Sequence, residues 1–173
     1  MKKIISRLLL SAIAVAVLLL TAGIVTRSAK ANKIAERLRT LPDFTIPSID
    51  GSHFSSREIT SGPLLITYFH PECEHCQYEI SSLFESNVLD GSVNVVLVSY
   101  AGRSQIESFM RQFDGEGDTL LWVLCDTAFT FRETFATEVI PSNFIYDENL
   151  RLVKALKGEV KSEALLKYLR GGD

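Results

Sequence analysis

Cysteine and histidine are scarce in this chain, with three of each among 173 residues. Three cysteines cannot form the framework of several disulfides that stabilises a small secreted scaffold. Positive charge is also in short supply: the formal net charge is −3, so no basic face dominates and nucleic acid is not an expected partner. Repeats and low-complexity segments are missing as well. These absences leave one globular domain with a sizeable core as the expected class.

Charge is missing altogether from residues 8–25, which follow a positively charged start. A helix of that length reaches about 27 Å, close to the thickness of the hydrocarbon layer of a bilayer. We therefore expect residues 1–26 to form an uncleaved signal anchor that holds the rest of the chain outside the cytoplasm. A signal peptide cleaved near Ala31 is the alternative, and it places the domain in the same compartment. No cysteine follows the apolar run to carry a lipid.

A polar, basic stalk at residues 27–41 leads into the domain, which is expected at residues 42–173. In the domain, apolar runs typical of buried strands alternate with segments of helical periodicity. Strands are expected at residues 64–69, 93–100, 119–125, 142–146 and 150–156. Helices are expected at residues 73–89, 104–113, 127–135 and 161–169, with a loop at 114–118. This alternation predicts a mixed α/β sheet covered on both faces by helices.

The chemistry is concentrated in the segment FHPECEHCQYE at residues 69–79. Cys73 and Cys76 have the spacing of a redox-active dithiol, a spacing that metal sites also use. They follow a predicted buried strand and open a predicted helix, where free backbone N–H groups stabilise a thiolate. In such a pair the exposed thiolate attacks a partner's disulfide, and the second cysteine resolves the mixed disulfide. The strand–helix context favours redox exchange.

Zinc is the rival hypothesis, because His70 and His75 lie beside the two cysteines. Structural zinc sites usually draw their ligands from two separated segments. A helix that begins at Cys73 would also direct His75 away from both sulfurs, so no metal site is expected. The third cysteine, Cys125, ends a predicted strand and is interpreted as a core thiol.

From residue 42 to about residue 169 the chain resembles the thioredoxin fold, and in particular the membrane-tethered TlpA/ResA-like thiol-disulfide oxidoreductases of bacteria. Three motifs carry the resemblance in order: PDF with DG at residues 42–51, CEHC at 73–76 and VIPSNFIYD at 139–147. The resemblance implies a thioredoxin-like fold with an N-terminal hairpin extension and no bound cofactor, since electrons travel through the cysteines. In the family, the proline matching Pro141 is cis, and the preceding backbone, here Ile140, docks the substrate.

The resemblance also implies roles for the residues around the pair. Cys73 is expected to be the exposed nucleophile and Cys76 the resolving cysteine. Glu79 occupies the position of a glutamate that ResA-like proteins use near their cysteines. Burial would raise its pKa and make it a proton acceptor for Cys76, whereas an exposed helix glutamate is the alternative. Thr67 stands where thioredoxin has a buried aspartate, so the proton acceptor must be another group.

The two residues between the cysteines are expected to tune the redox potential in opposite directions. A protonated His75 favours a neighbouring thiolate and a more oxidising disulfide, an arrangement that resembles DsbA-like proteins. Glu74 adds negative charge and acts the other way. The sequence leaves the sign of the net effect open.

Taken together, the resemblance implies a thiol-disulfide oxidoreductase of the bacterial cell membrane or periplasm, acting as a reductase in cell redox homeostasis and cytochrome c maturation. Its partners would be cysteine-containing exported proteins, such as apocytochrome c, and a membrane thiol electron donor, which an oxidising compartment requires. A peroxiredoxin-like peroxidase is one alternative, but the Pro-x-x-x-Thr-x-x-Cys pattern is absent, because Ile66 and His70 occupy its positions. A non-catalytic thioredoxin-fold binding module is the other.

Overall fold

The computed structural model describes residues 2–89, 91–113 and 120–171, without the side chains of residues 2–16 and of Asn87. The loop expected at residues 114–118 lies outside the described residues. The chain divides into two compact units, Met1–Arg37 and Leu38–Asp173. The described residues of the first unit lie within one long helix, α1, at Lys2–Leu38.

The predicted membrane anchor, at residues 1–26, belongs to this first unit. Among the side chains that are described, no helix is both long enough and apolar enough to cross a membrane. The first half of the apolar run, residues 8–16, lies outside the described side chains. The anchor at residues 1–26 and the stalk at residues 27–41 therefore stay predictions.

Seven short strands build the second unit. They are β1 (Thr45–Pro47), β2 (His53–Ser55), β3 (Leu64–Phe69), β4 (Asn94–Ser99), β5 (Leu121–Cys125), β6 (Ser142–Tyr146) and β7 (Leu152–Lys157). β1 and β2 form an antiparallel hairpin, and the other five form one sheet in the order β5–β4–β3–β6–β7. β3, β4 and β5 run parallel, whereas β6 is antiparallel to β3 and β7 to β6. The expected mixed sheet and N-terminal hairpin are confirmed.

Four helices cover the two faces of the sheet: α2 (Glu74–Glu85), α3 (Arg103–Met110), α4 (Thr130–Phe135) and α5 (Ser162–Leu169). β3 serves both faces, because alternate side chains of a strand point in opposite directions. Leu65 and Phe69 pack with Ile80 of α2 in a core that also takes in α3 and α5. Tyr68 faces the other way and stacks on Phe131 of α4, with ring centroids 5.2 Å apart. Every residue of β3 is buried, as its apolar run predicted.

The helix predicted at residues 73–89 ends early. α2 stops at Glu85, and residue 86 adopts an extended conformation. The Ser86 hydroxyl donates to the Leu83 carbonyl oxygen at 2.8 Å, and the chain continues as a 3-10 turn at Asn87–Leu89. A serine that bonds to the local backbone competes with the helix ladder, which accounts for the early end.

The helices predicted at residues 127–135 and 104–113 also have different starts. α4 begins only at Thr130, because the Asp126 carboxylate accepts the backbone N–H groups of Thr130 and Phe131. α3 begins directly after Gly102 rather than at Ser104, since the Gln105 side chain accepts the Gly102 N–H. Both starts are set by side chains that satisfy N–H groups at the helix end.

Candidate active site

The cysteine pair lies at the junction between the end of β3 and the start of α2, as predicted. Cys73 is the N-cap residue of α2, is half-buried, and donates its backbone N–H to the His70 carbonyl oxygen. Cys76 lies one turn into the helix and is completely buried. Both are free thiols in this structure. A partner can therefore reach Cys73, whereas Cys76 is shielded behind it.

The shielded thiol is hard to ionise. Burial raises the pKa of Cys76 far above the ordinary value for a thiol. A hydrogen bond with the His70 backbone opposes this shift, while the neighbouring Cys73 and Glu79 raise the pKa further. Because the thiolate is the nucleophilic form, Cys76 needs a nearby proton acceptor before it can attack a disulfide.

Glu79, one turn beyond Cys76 on α2, is completely buried. Its Oε1 accepts a hydrogen bond from Asn143 Nδ2 at 2.9 Å, and its Oε2 accepts the Val160 N–H at 2.6 Å. Burial raises the pKa of Glu79 from 4.5 to about 7, against the two hydrogen bonds, which lower it. The alternative of an exposed helix glutamate is therefore wrong. A carboxyl group that titrates near neutral pH is suited to exchanging protons with a thiol.

Asn143 is the member of this network that sequence reasoning missed. It lies on β6 directly opposite Thr67 of β3, whose hydroxyl donates to Asn143 Oδ1 at 2.8 Å. That bond orients the amide so that Nδ2 faces Glu79. A signal was available, because an asparagine in a buried strand is costly unless its polar atoms are hydrogen bonded. Thr67, at the position of thioredoxin's aspartate, thus begins a chain of hydrogen bonds that runs through Asn143 to Glu79.

The two residues between the cysteines are both exposed. Glu74 lies in the first turn of α2. His75 is directed toward residues 158–161, here called the β7–α5 loop, and its Nδ1 lies 2.6 Å from Glu159 Oε2. When the imidazole is protonated, this contact is an ion pair that offsets its positive charge.

The Ile140–Pro141 peptide bond is cis, as the resemblance implied. Pro141 is buried immediately before β6, and its carbonyl oxygen accepts the Gly158 N–H at 2.8 Å. Ile140 is half-buried and packs against the same hydrophobic core as Cys73. The docking role of these two residues stays a prediction.

His70 and Cys125 make contacts of their own. His70 packs on the ring of Tyr100, with centroids 4.8 Å apart. In the part of the chain that the structure describes, no three histidine, cysteine, aspartate or glutamate side chains are grouped to hold a metal ion. Cys125 packs against the core and its thiol donates to the Ala101 carbonyl oxygen at 3.4 Å, an ordinary environment for a structural thiol.

No protein-family model matches the sequence. Among curated proteins, the chain is similar to the thiol-disulfide oxidoreductase ResA of Bacillus thuringiensis subsp. konkukian. The two are 20% identical over 132 residues, which cover 75% of this chain and 74% of ResA.

Solved structures show the fold. A secreted Mycobacterium tuberculosis disulfide oxidoreductase homologous to E. coli DsbE aligns with a TM-score of 0.66 at 17% identity, over 79% of this chain and 98% of that one. The peroxidoxin BcpB of Mycobacterium tuberculosis aligns with a TM-score of 0.63 at 16% identity, over 76% of this chain and 94% of that one. One fold thus supports more than one thiol chemistry. The chain therefore has a thioredoxin-like fold, and its sequence is similar to that of the thiol-disulfide oxidoreductase ResA.

Proposed function

We propose that the chain reduces disulfides of exported proteins by dithiol–disulfide exchange at Cys73 and Cys76. The Cys73 thiolate attacks one sulfur of the substrate disulfide, forms a mixed disulfide and releases the first substrate thiol. Cys76 then gives its proton to Glu79 and attacks the Cys73 sulfur. This step releases the second substrate thiol and leaves a Cys73–Cys76 disulfide. The substrate gains the two electrons that the pair loses, and a membrane thiol donor restores the dithiol.

The observation that carries this proposal is a buried carboxyl group one helical turn from a buried cysteine. Cys76 holds its proton too tightly to act alone, since burial raises its pKa. Glu79, with a pKa of about 7, is suited to take that proton and return it in the next cycle. This arrangement suits a resolving cysteine, Cys76, that transfers its proton to a neighbouring general base, Glu79.

The reductase direction is supported by the electrostatics around the thiols. A stabilised thiolate favours the reduced form and makes a disulfide a stronger oxidant. Here burial disfavours the Cys76 thiolate, and His75 is paired with Glu159 instead of being left to stabilise a thiolate. Glu74 adds negative charge at the start of α2. These features favour a reducing potential.

The site of action is proposed from the N-terminal sequence. An anchor at residues 1–26 would hold the domain on the outer side of the bacterial cell membrane. There, exported cysteine-containing proteins such as apocytochrome c become oxidised and need a reductase. Cleavage near Ala31 would instead release the domain into the same compartment. The substrate chain would dock along the backbone of Ile140 and Pro141.

The reduced 173-residue chain distinguishes this function from that of a peroxidase. It is mixed at equal concentrations with a peptide disulfide or with hydrogen peroxide, and free thiols are alkylated and counted by mass spectrometry. We expect reaction with the disulfide to be faster by at least about ten-fold, because the residues that activate a peroxidatic thiolate are absent. Faster oxidation by peroxide would establish the peroxidase alternative instead.

A further inference from the structure

Two adjacent residues of the β7–α5 loop contact two different residues of α2. The Glu159 carboxylate lies 2.6 Å from His75 Nδ1, and the Val160 N–H donates to Glu79 Oε2, also at 2.6 Å. His75 and Glu79 are four residues apart, so they lie on the same side of the helix. The loop is therefore bound to His75 through the Glu159 side chain and to the buried Glu79 carboxyl group through the Val160 backbone.

The ends of this loop are held by neutral contacts. Gly158 donates its N–H to the Pro141 carbonyl oxygen at 2.8 Å, and Ser162 at the start of α5 accepts a hydrogen bond from Ser82 at 2.9 Å. Between those two points, the side chain of Glu159 ties the loop to α2 through an exposed charged contact. Its carboxylate sits next to the amide that serves Glu79.

We propose that Glu159 and His75 are positioning residues, whose contact holds the β7–α5 loop against α2 and keeps the Val160 amide on the Glu79 carboxylate. This contact is called the latch below. The inference rests on the proposed role of Glu79 as proton acceptor. An N–H that bonds to a carboxylate favours its charged form. Without the latch, Glu79 would keep its own proton to higher pH, so at neutral pH a smaller fraction of Glu79 would be ionised and free to accept the proton of Cys76.

Glu159 acts on Glu79 in two opposite ways. Among the residues that the structure describes, the titratable groups that act on Glu79 are Cys76 on its own helix and Glu159 from the loop. β6 presents the neutral amide of Asn143 to Glu79, whereas the Ser162 hydroxyl of α5 is hydrogen bonded to Ser82. Through space, the negative charge of Glu159 raises the pKa of Glu79. Through the latch it lowers that pKa, so the two effects have opposite signs and are separable.

The test titrates Glu79 directly. The 173-residue chain is labelled with ¹³C-glutamate, and the Glu79 carboxyl signal is assigned by its loss in Glu79→Gln. Glu159→Ala removes both the charge and the latch, and we expect the pKa of Glu79 to rise by about one unit. Glu159→Gln removes the charge but keeps a side chain that can hydrogen bond to His75, so the pKa should stay at or below the wild-type value. Glu163→Gln, an exposed carboxylate on α5, is the matched control and should change nothing.

His75→Ala breaks the latch from the side of α2 and should produce the same rise in the pKa of Glu79. An unchanged or lower pKa in Glu159→Ala or His75→Ala would overturn the proposal, because Glu159 would then act by charge alone or not at all. The NMR spectrum also reports whether each variant is folded. Since the readout needs no turnover, a failed latch with intact disulfide exchange removes only this inference. A rise in pKa in a chain without exchange activity would instead reject the proposed function.

Discussion

Replacing Cys73 by serine is expected to abolish disulfide exchange, with a loss of about 10³-fold or more. A hydroxyl cannot form the mixed disulfide, and Cys76 is completely buried, so it cannot substitute as the nucleophile. Cys76→Ser should react once and stop, because Cys73 forms a mixed disulfide that nothing resolves. Mass spectrometry of acid-quenched reactions with a peptide disulfide distinguishes the two variants: no adduct for Cys73→Ser, and a persistent adduct for Cys76→Ser.

Cys125→Ser is the matched control for these variants. Its thiol is half-buried and donates to the Ala101 carbonyl oxygen, a bond that a serine hydroxyl also makes. We expect this variant to keep wild-type exchange within about two-fold. The assigned roles would be wrong if Cys125→Ser were as inactive as Cys73→Ser. They would also be wrong if Cys76→Ser released both substrate thiols at the wild-type rate.

Glu79→Gln is expected to slow resolution of the mixed disulfide by about 10²-fold, because Cys76 loses its proton acceptor. The first attack, by Cys73, should be unaffected. In the wild-type chain the resolution rate should rise as the pH passes through about 7, where Glu79 loses its proton. In the variant the inflection near pH 7 should be missing, and the rate should instead rise steadily with pH as more of the Cys76 thiol ionises. Stopped-flow measurement of the two substrate thiols against pH separates the steps, and equal pH profiles for the two chains would rule out Glu79 as the base.

The same substitution gives a readout that is independent of activity. Glu79 has a pKa of 4.5 when unfolded and about 7 when folded, so the folded chain binds this proton more tightly. The resulting stabilisation is complete below pH 4.5 and is lost as the pH rises through 7. Relative to Glu79→Gln, the free energy of unfolding of the wild-type chain should fall by about 3 kcal/mol across this window.

Urea unfolding at a series of pH values measures this difference. Burial also raises the pKa of Asp126, but that residue is present in both chains, so its contribution cancels. Glu163→Gln, which removes an exposed carboxyl group, should follow the wild-type curve. Parallel curves for the wild-type chain and Glu79→Gln would mean that Glu79 titrates as an ordinary carboxyl group.

The strands of the sheet were predictable because each is a short apolar run that can be recognised from the local sequence. β6 was expected at residues 142–146 and lies at Ser142–Tyr146, and β3 also matches its expected bounds. Several helix ends were not predictable to the residue, since each depends on a single side chain that bonds to the backbone. Ser86 ends α2 and Asp126 delays α4 in this way. Hydrophobic periodicity reports burial and carries no information about such bonds.

The candidate site also has a part that was predictable from the sequence and a part that was not. Cys73, Cys76 and Glu79 come from one segment, so their spacing along a helix was enough to place them together. Asn143 lies 64 residues from Glu79, and Glu159 lies 84 residues from His75. Both reach the site only because β6 lies beside β3 and because the chain returns to α2 after β7. A single sequence does not report contacts over that separation.

The reductase claim is tested most directly by the reduction potential of the Cys73–Cys76 pair. The 173-residue chain is equilibrated with glutathione or dithiothreitol buffers at neutral pH, and the fraction of dithiol is measured by alkylation. We predict a potential near or below that of thioredoxin, about −270 mV. A value near that of DsbA, about −120 mV, would make the chain an oxidant and contradict the account.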